Sequence, residues 1–161
     1  MAKDAMHMLR HAAAEGYGGE ALTYRCHSLW TAALAVEDGA GDALVLAALF
    51  HGVGHLLPTS YSHAVGQERR HDRLGARFLA SLYPPEVSEP VRLHVLAKRY
   101  LSRDPAYRAA LSDVSQRRLV AQGDVLDDDE AAGLLGIPYA EEAVRLRRWC
   151  DAAKRFTRRR S

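Results

Sequence analysis

Two histidines at the end of an apolar segment are the strongest chemical signal in the chain. His51 and His55 lie in the stretch from Leu44 to Leu57, LVLAALFHGVGHLL. If this stretch is one helix, side chains four residues apart share a face, so the two imidazoles lie one above the other. A single histidine on an apolar helix is more often a packed core residue than a metal ligand, so the pair needs further partners.

Further side chains that commonly bind metals lie in other segments with helical patterns. They are His27, His71, His94 and Asp151. Together with His51, they come from five separate predicted helices. Helical bundles build metal sites from inward-facing imidazoles and carboxylates on different helices. The sequence therefore predicts a metal site inside a bundle.

The helices that must position these residues are separated by glycine and proline. The sequence lacks internal repeats and strand-like alternation, which predicts an all-α, single compact domain over residues 1–161. Thr23 begins the second predicted helix, and Asp42 is expected to cap the third. The remaining predicted helices are Ala2 to Glu15, His71 to Tyr83, Val87 or Ser88 to Leu101, three short helices near 106–111, 115–122 and 128–135, and a long helix after Pro138.

Length and charge limit the classes of function. A chain of 161 residues buries about two-thirds of its unfolded surface, so neither a metal nor a disulfide is needed for folding. A formal net charge of +2 does not indicate a nucleic-acid partner, and no apolar run is long enough to span a membrane. We expect a cytoplasmic protein, and nothing in the sequence indicates its oligomeric state.

The two cysteines have no metal-binding spacing. Cys26 and Cys150 each precede a candidate ligand, His27 and Asp151, so one interpretation places both thiols on the walls of one cavity. The favoured interpretation is two small buried side chains.

Several polar residues are candidates for binding an anionic substrate. Lys98 follows His94 by one helical turn and could hold an anion beside a metal, although on spacing alone extension of its head to water is the favoured interpretation. Ser115 and Gln122 could donate further hydrogen bonds, or simply be solvated. Tyr17 and Glu20, in the glycine-rich loop before His27, are secondary candidates that could reach over the site.

The pattern resembles the HD-domain superfamily, and most of all the mixed-valent di-iron oxygenases of phosphonate breakdown, the 2-amino-1-hydroxyethylphosphonate dioxygenase type. The resemblance spans Tyr17 to Phe156, the ligand-bearing core. The stretches that carry it are YGGEALTYRCH, ALVLAALFHGVGHLL, HDRLGARFL, PVRLHVLAKRYL and AVRLRRWCDAAKRF.

The resemblance implies a role for each matching residue. The implied iron ligands are His27, His51, His71, His94 and Asp151. It also implies a second-sphere role for His55, a substrate-gating loop carrying Tyr17 and Glu20, and phosphonate binding by Lys98. In such enzymes one iron binds dioxygen, the hydroxylated substrate loses a hydrogen atom, and cleavage of the carbon–phosphorus bond releases phosphate.

One residue departs from the family pattern. Gly52 follows His51 where the family has the aspartate that bridges both metals. Asp72 follows His71, but neighbours on a helix point about 100° apart, so we do not expect it to compensate. His27, His51 and Asp151 still match the two-histidine, one-carboxylate set of mononuclear iron oxygenases.

Three functions remain open at this point. The first is an oxygenase with one or two irons, or another divalent metal, acting with dioxygen on a small hydroxylated phosphonate or similar anion by oxidative C–P, C–C or C–H chemistry. The second is a catalytically silent relative that binds a small anion or a partner protein. The third is an HD-type phosphohydrolase, which ranks last because it also needs the missing aspartate. The retained ligands favour the first.

Overall fold

The computed structural model describes residues 2–11, 23–57, 61 and 70–158. Within these ranges the regular structure is helical and contains no β-strand, which confirms the all-α prediction. Tyr17 and Glu20 lie outside the described residues. The elements are α1 (Ala2–His11), α2 (Tyr24–Glu37), α3 (Asp42–Phe50), a 3₁₀ turn (Val53–Leu56), α4 (His71–Ala80), α5 (Pro85–Leu101), α6 (Pro105–Ala110), α7 (Asp113–Ala121), α8 (Asp128–Leu135) and α9 (Ala140–Arg158).

Helix α5 lies at the centre of the bundle. It packs against α3, α4 and α9, and α2 packs against both α3 and α9. One apolar core joins α3, α4, α5 and α9 and includes Phe50, Leu79 and Leu146, while a second core joins α5, α8 and α9 around Leu93 and Leu134. Burying each of these large side chains contributes about 1.5–3 kcal/mol. Apolar packing on two sides therefore holds α5 in place.

The third helix ends earlier than the histidine spacing predicts. Helix α3 stops at Phe50, His51 is its C-cap, and His55 lies on the following 3₁₀ turn. The prediction that both imidazoles share one helical face is therefore wrong. The 3₁₀ turn approaches α4 so closely that a Cβ atom at Gly54 would lie 2.0 Å from the carbonyl oxygen of His71. Glycine at this position allows the turn to pack on α4.

The observed helix ends lie within a few residues of those predicted from the sequence. Thr23, predicted to begin α2, is its N-cap, and its hydroxyl accepts a hydrogen bond from the Cys26 amide at 3.2 Å. Asp42 is not the N-cap of α3; Gly41 is, and Asp42 lies in the first turn, where its charge suits the helix dipole. Helix α5 begins at Pro85 because proline fits the first helical position.

A polar contact connects the end of α2 to α9. The Trp149 indole donates a hydrogen bond to Asp38 Oδ2 at 3.2 Å, and Arg145 lies 3.6 Å from the same oxygen. The Arg145 guanidinium also stacks over the Trp149 ring, 5.1 Å from its centre. These contacts fix α9 against α2. None of the described helices has the length and apolar character that a membrane crossing requires.

Candidate metal centre

Two buried imidazoles face each other where α2 meets the end of α3. His27 lies in the first turn of α2, and its Nε2 is 3.1 Å from the Nε2 of His51. The His51 Nδ1–H donates a hydrogen bond to the Ala48 carbonyl at 2.7 Å, so its Nε2 carries the lone pair. Such a bond to a backbone carbonyl orients metal-ligating histidines in general. The two Nε2 atoms are therefore close enough to bind one ion.

Cys150 completes a group of three potential ligands. Its Sγ is 3.5 Å from His27 Nε2, and the ligand atoms of His27, His51 and Cys150 all lie within 4.8 Å of one another. Among the described residues, no other set of three histidine, cysteine or acidic side chains comes together in this way. Cys150 is buried, as predicted, whereas Cys26 is exposed, so the prediction for Cys26 is wrong.

Asp151 binds other side chains. Arg147, one turn earlier on α9, donates two hydrogen bonds to its carboxylate, at 2.8 and 3.1 Å, and the Tyr107 hydroxyl donates a third at 2.5 Å. Burial raises the pKa of Asp151, but the charge and hydrogen bonds of Arg147 outweigh it and hold that pKa below its usual range. The structure therefore places Asp151 in an ion pair, outside the three-residue group.

His94 lies beside the pair, with its ring edge-on to His51 and the ring centres 5.7 Å apart. Its Nδ1–H donates to the Val91 carbonyl at 2.5 Å. Burial, with Arg147 and His51 nearby, lowers the pKa of His94 to about 4. The imidazole is therefore neutral at pH 7 and can offer a lone pair.

His55 and His71 form a second histidine pair. Their rings stack with centres 4.1 Å apart, and His71 Nδ1 lies 3.4 Å from the Gly54 carbonyl. His71 is exposed, while burial and the neighbouring His71 lower the pKa of His55 to about 3. The predicted ligand His71 therefore pairs with His55, apart from the contact between His27 and His51.

A cavity of about 570 Å³ brings most of the predicted residues together. Its walls include four of the predicted histidines and the three predicted anion-binding residues, but not His27, Cys150 or Asp151. The predicted residues on its walls are His51, His55, His71, His94, Lys98, Ser115 and Gln122. Gly52 also lines the cavity, so an aspartate there would lie at its surface.

Lys98 is the predicted cation of this cavity. It is 1% exposed, and its Nζ donates to the Ser115 carbonyl at 2.7 Å and to Gln122 Oε1 at 3.2 Å. Burial, followed by the charges of Arg147 and Lys154, lowers the pKa of Lys98 to about 7. The Ser115 hydroxyl is buried without a hydrogen-bond partner in the described structure. An anion in the cavity could accept one hydrogen bond from Lys98 Nζ and one from the Ser115 hydroxyl.

Sequence reasoning missed four further cations on the cavity wall. They are Arg70, Arg118, Arg147 and Lys154. The spacing of Arg147 and Asp151, four residues apart on one helix, was a signal for their ion pair; the other three carry no local signal. Asp72 also lines the cavity, together with His71, and Arg70 pairs with its carboxylate at 3.3 Å.

The donor set fits one metal ion. Imidazole nitrogen and thiolate or carboxylate donors together suit iron, zinc, cobalt and copper. A second ion at His55 and His71 would lack a bridging anion, because Gly52 has no side chain and Asp72 is paired with Arg70. Without that anion, nothing offsets the repulsion between two cations.

Three known proteins are similar to this chain over 144 residues each. It is 38% identical to hydroxymethylphosphonate dioxygenase of Gimesia maris, covering 87% of this chain and 72% of that protein. It is 33% identical to the [1-hydroxy-2-(trimethylamino)ethyl]phosphonate dioxygenase (glycine-betaine-forming) of Leisingera caerulea, with coverages of 88% and 74%. An uncharacterized protein of Acanthamoeba polyphaga mimivirus is 28% identical, with coverages of 86% and 65%. No family model matches the chain.

Proposed function

The chain belongs to the HD-domain phosphonate oxygenases, and from this membership we propose that it is a metal-dependent dioxygenase that breaks the carbon–phosphorus bond of a small hydroxylated phosphonate. One observation carries the proposal within the fold. The His27–His51 pair, with 3.1 Å between its Nε2 atoms, adjoins a cavity that also contains the buried Lys98. A metal-binding pair beside an anion-binding cavity is what such a reaction needs.

His27 and His51 are proposed to hold the metal. We propose iron, because the family resemblance implies iron ligands at these positions. Bound iron supplies the redox and dioxygen chemistry that amino-acid side chains lack. The family resemblance also implies His94, His71 and Asp151 as ligands; His94 lies next to His51, His71 is exposed, and Arg147 binds the carboxylate of Asp151. The missing carboxylate at Gly52 favours a single ion over two.

The polar residues of the cavity are proposed to bind and orient the substrate. Lys98 donates hydrogen bonds to the phosphonate oxygens, and the Ser115 hydroxyl and the Gln122 amide add further ones. His55 is neutral at pH 7 because burial lowers its pKa, so it can accept a hydrogen bond from the substrate hydroxyl. Tyr17 and Glu20 are proposed to close over the substrate.

A second candidate function is binding of a small anion without catalysis. Two observations favour it: Gly52 removes a carboxylate from the cavity wall, and Arg147 holds the carboxylate of Asp151. A phosphohydrolase has weaker support, since such enzymes also depend on the aspartate that Gly52 replaces.

Oxygen uptake by the untagged, iron-loaded protein tests these alternatives. The substrates are hydroxymethylphosphonate and [1-hydroxy-2-(trimethylamino)ethyl]phosphonate. We expect substrate-dependent oxygen consumption with release of phosphate. His51→Ala should lower both the iron content and the rate by about 100-fold or more, because ligand loss weakens metal binding. The matched control is His7→Ala, which removes an exposed histidine on α1.

Each alternative has its own result. Folded, iron-loaded protein that binds phosphonate without consuming oxygen would contradict the proposal and favour the anion-binding protein. Phosphate release without oxygen uptake would favour the phosphohydrolase.

A further inference from the structure

We propose that Cys150, and not Asp151, is the third protein ligand of the metal held by His27 and His51. The inference rests on the proposed function only in assuming that this pair binds a metal. It assigns a thiolate to a position where the family resemblance implies a carboxylate. The metal site would then be a mononuclear one with two imidazoles and one sulfur.

Distances within the group match a common metal ion. Typical zinc bonds of about 2.05 Å to nitrogen and 2.3 Å to sulfur, arranged as a tetrahedron, separate two nitrogens by about 3.3 Å and nitrogen from sulfur by about 3.6 Å. The observed separations are 3.1 Å between the Nε2 atoms of His27 and His51, and 3.5 Å from His27 Nε2 to Cys150 Sγ. Both separations that involve His27 therefore match a tetrahedral ion, and His51 and Cys150 lie within 4.8 Å of each other.

The orientation of α9 decides which neighbour reaches the histidines. Successive helical residues point about 100° apart, so Cys150 and Asp151 cannot both face α2. Trp149 and Arg145 bind Asp38 at the end of α2, which fixes the rotation of α9 about its axis. In that rotation the Cys150 thiol faces His27.

The partners of Asp151 oppose its use as a ligand. Arg147 binds both carboxylate oxygens, and the Tyr107 hydroxyl binds one of them as well. The Arg147 and Asp151 side chains are each 5% exposed. Moving Asp151 to a metal would take a buried carboxylate away from a buried guanidinium, which is costly.

A sulfur ligand changes which metals the site prefers. Thiolate is softer than carboxylate, so it favours cobalt, zinc and copper(I) over manganese or magnesium, while imidazole accepts all of the later transition metals. The two-histidine, one-cysteine set is thus suited to zinc, copper(I) and cobalt(II), and cobalt(II) provides an optical signal.

Cobalt(II) titration of the full-length, metal-free Cys26→Ser protein tests the inference. The chain has two cysteines, so any sulfur signal in this variant comes from Cys150. We expect one equivalent of cobalt to bind, with visible bands of a distorted tetrahedral site and a near-ultraviolet charge-transfer band from thiolate to cobalt. Wild-type protein should give the same spectrum, because Cys26 is exposed and outside the group.

Two single variants then separate the neighbouring residues. Cys150→Ser should lose the charge-transfer band and bind cobalt at least about tenfold more weakly, whereas Asp151→Asn should keep the band. Stoichiometric cobalt without the band in Cys26→Ser would overturn the inference, as would the absence of cobalt binding. The first result would leave the proposed oxygenase intact with Asp151 as ligand, since oxygen uptake is measured separately. The second would show that the group is only a hydrogen-bonded histidine pair beside a packed thiol.

Discussion

Lys98 is a buried cation whose described hydrogen bonds go to neutral acceptors, the Ser115 carbonyl and the Gln122 amide oxygen. Burial and the nearby positive charges of Arg147 and Lys154 lower its pKa to about 7. Lys98 is therefore charged below pH 7 and loses its charge as the pH rises through that value. An anion bound beside it would supply the missing negative charge.

Anion binding should accordingly weaken with rising pH. Sulfate is a suitable probe because its charge is constant in this range. We expect its affinity, measured by calorimetry, to fall about tenfold from pH 6 to pH 8, since the charged fraction of a group with a pKa of 7 falls by that factor. Lys98→Met should remove the pH dependence.

Lys154→Met is the control for this titration. It removes another cavity lysine, so it should weaken sulfate binding and keep a decline with pH, shifted to higher pH because the Lys154 charge lowers the pKa of Lys98. A Lys98→Met protein with an unchanged pH profile would show that a different group governs the titration.

The 3₁₀ turn packs so closely on α4 that no side-chain atom fits between them at Gly54. A Cβ atom on Gly54 would lie 2.0 Å from the His71 carbonyl oxygen and 3.0 Å from the Gly75 nitrogen. Both neighbours are backbone atoms of α4, so they cannot rotate away. Gly54→Ala should lower the free energy of unfolding by about 1–3 kcal/mol through overpacking, as measured by urea denaturation.

Gly133→Ala is the matched control, because nothing lies within 4 Å of a Cβ atom at that position in α8. It should raise the free energy of unfolding by about 0.5–1 kcal/mol, the usual gain from replacing glycine inside a helix. A Gly54→Ala protein as stable as this control would mean that the turn can move off α4 without cost.

Most helices could be predicted from the sequence because their ends carry local signals. Thr23 marks the start of α2 through its capping hydroxyl, whereas α5 begins at Pro85, before the predicted start at Val87 or Ser88, because proline fits the first helical position. The direction of His55 could not be predicted, since it depends on how closely the 3₁₀ turn packs against α4. Spacing alone extends the helix past His51, where the structure ends it at Phe50.

The candidate site could be predicted only in part. Residue types indicated that His51, His94 and Lys98 share a site, and they line one cavity. The choice between Cys150 and Asp151 depends on the rotation of α9 about its axis. Contacts with α2 determine that rotation, and the residues that make them, Trp149 and Asp38, are 111 positions apart in the sequence. Local periodicity says which residues share a helical face, but not which neighbouring helix that face meets.

The number of metal ions bound per chain is a property that depends on both histidine pairs. Gly52 lies on the cavity wall with the His55–His71 pair, while the His27–His51 pair adjoins it. Without a carboxylate at Gly52, elemental analysis of untagged protein should find about one ion per chain. Gly52→Asp should raise this number towards two, because a bridging anion offsets the repulsion between two cations.

Gly41→Asp is the control for this substitution. It adds the same charge at an exposed N-cap with nothing within 4 Å of the new Cβ atom, so the metal content should not change. An unchanged metal content in Gly52→Asp would show that the two histidine pairs are too far apart to share a carboxylate.

The separation of His27 and Cys150 in the chain has a consequence for biosynthesis. The two side chains meet at 3.5 Å although they are 123 positions apart in the sequence. A ribosome adding about 5–20 residues per second needs on the order of ten seconds to cover that distance. During this interval the nascent chain carries two imidazoles without their sulfur neighbour. If Cys150 is the third ligand, as proposed, the complete site forms only after α9 has been made and has docked.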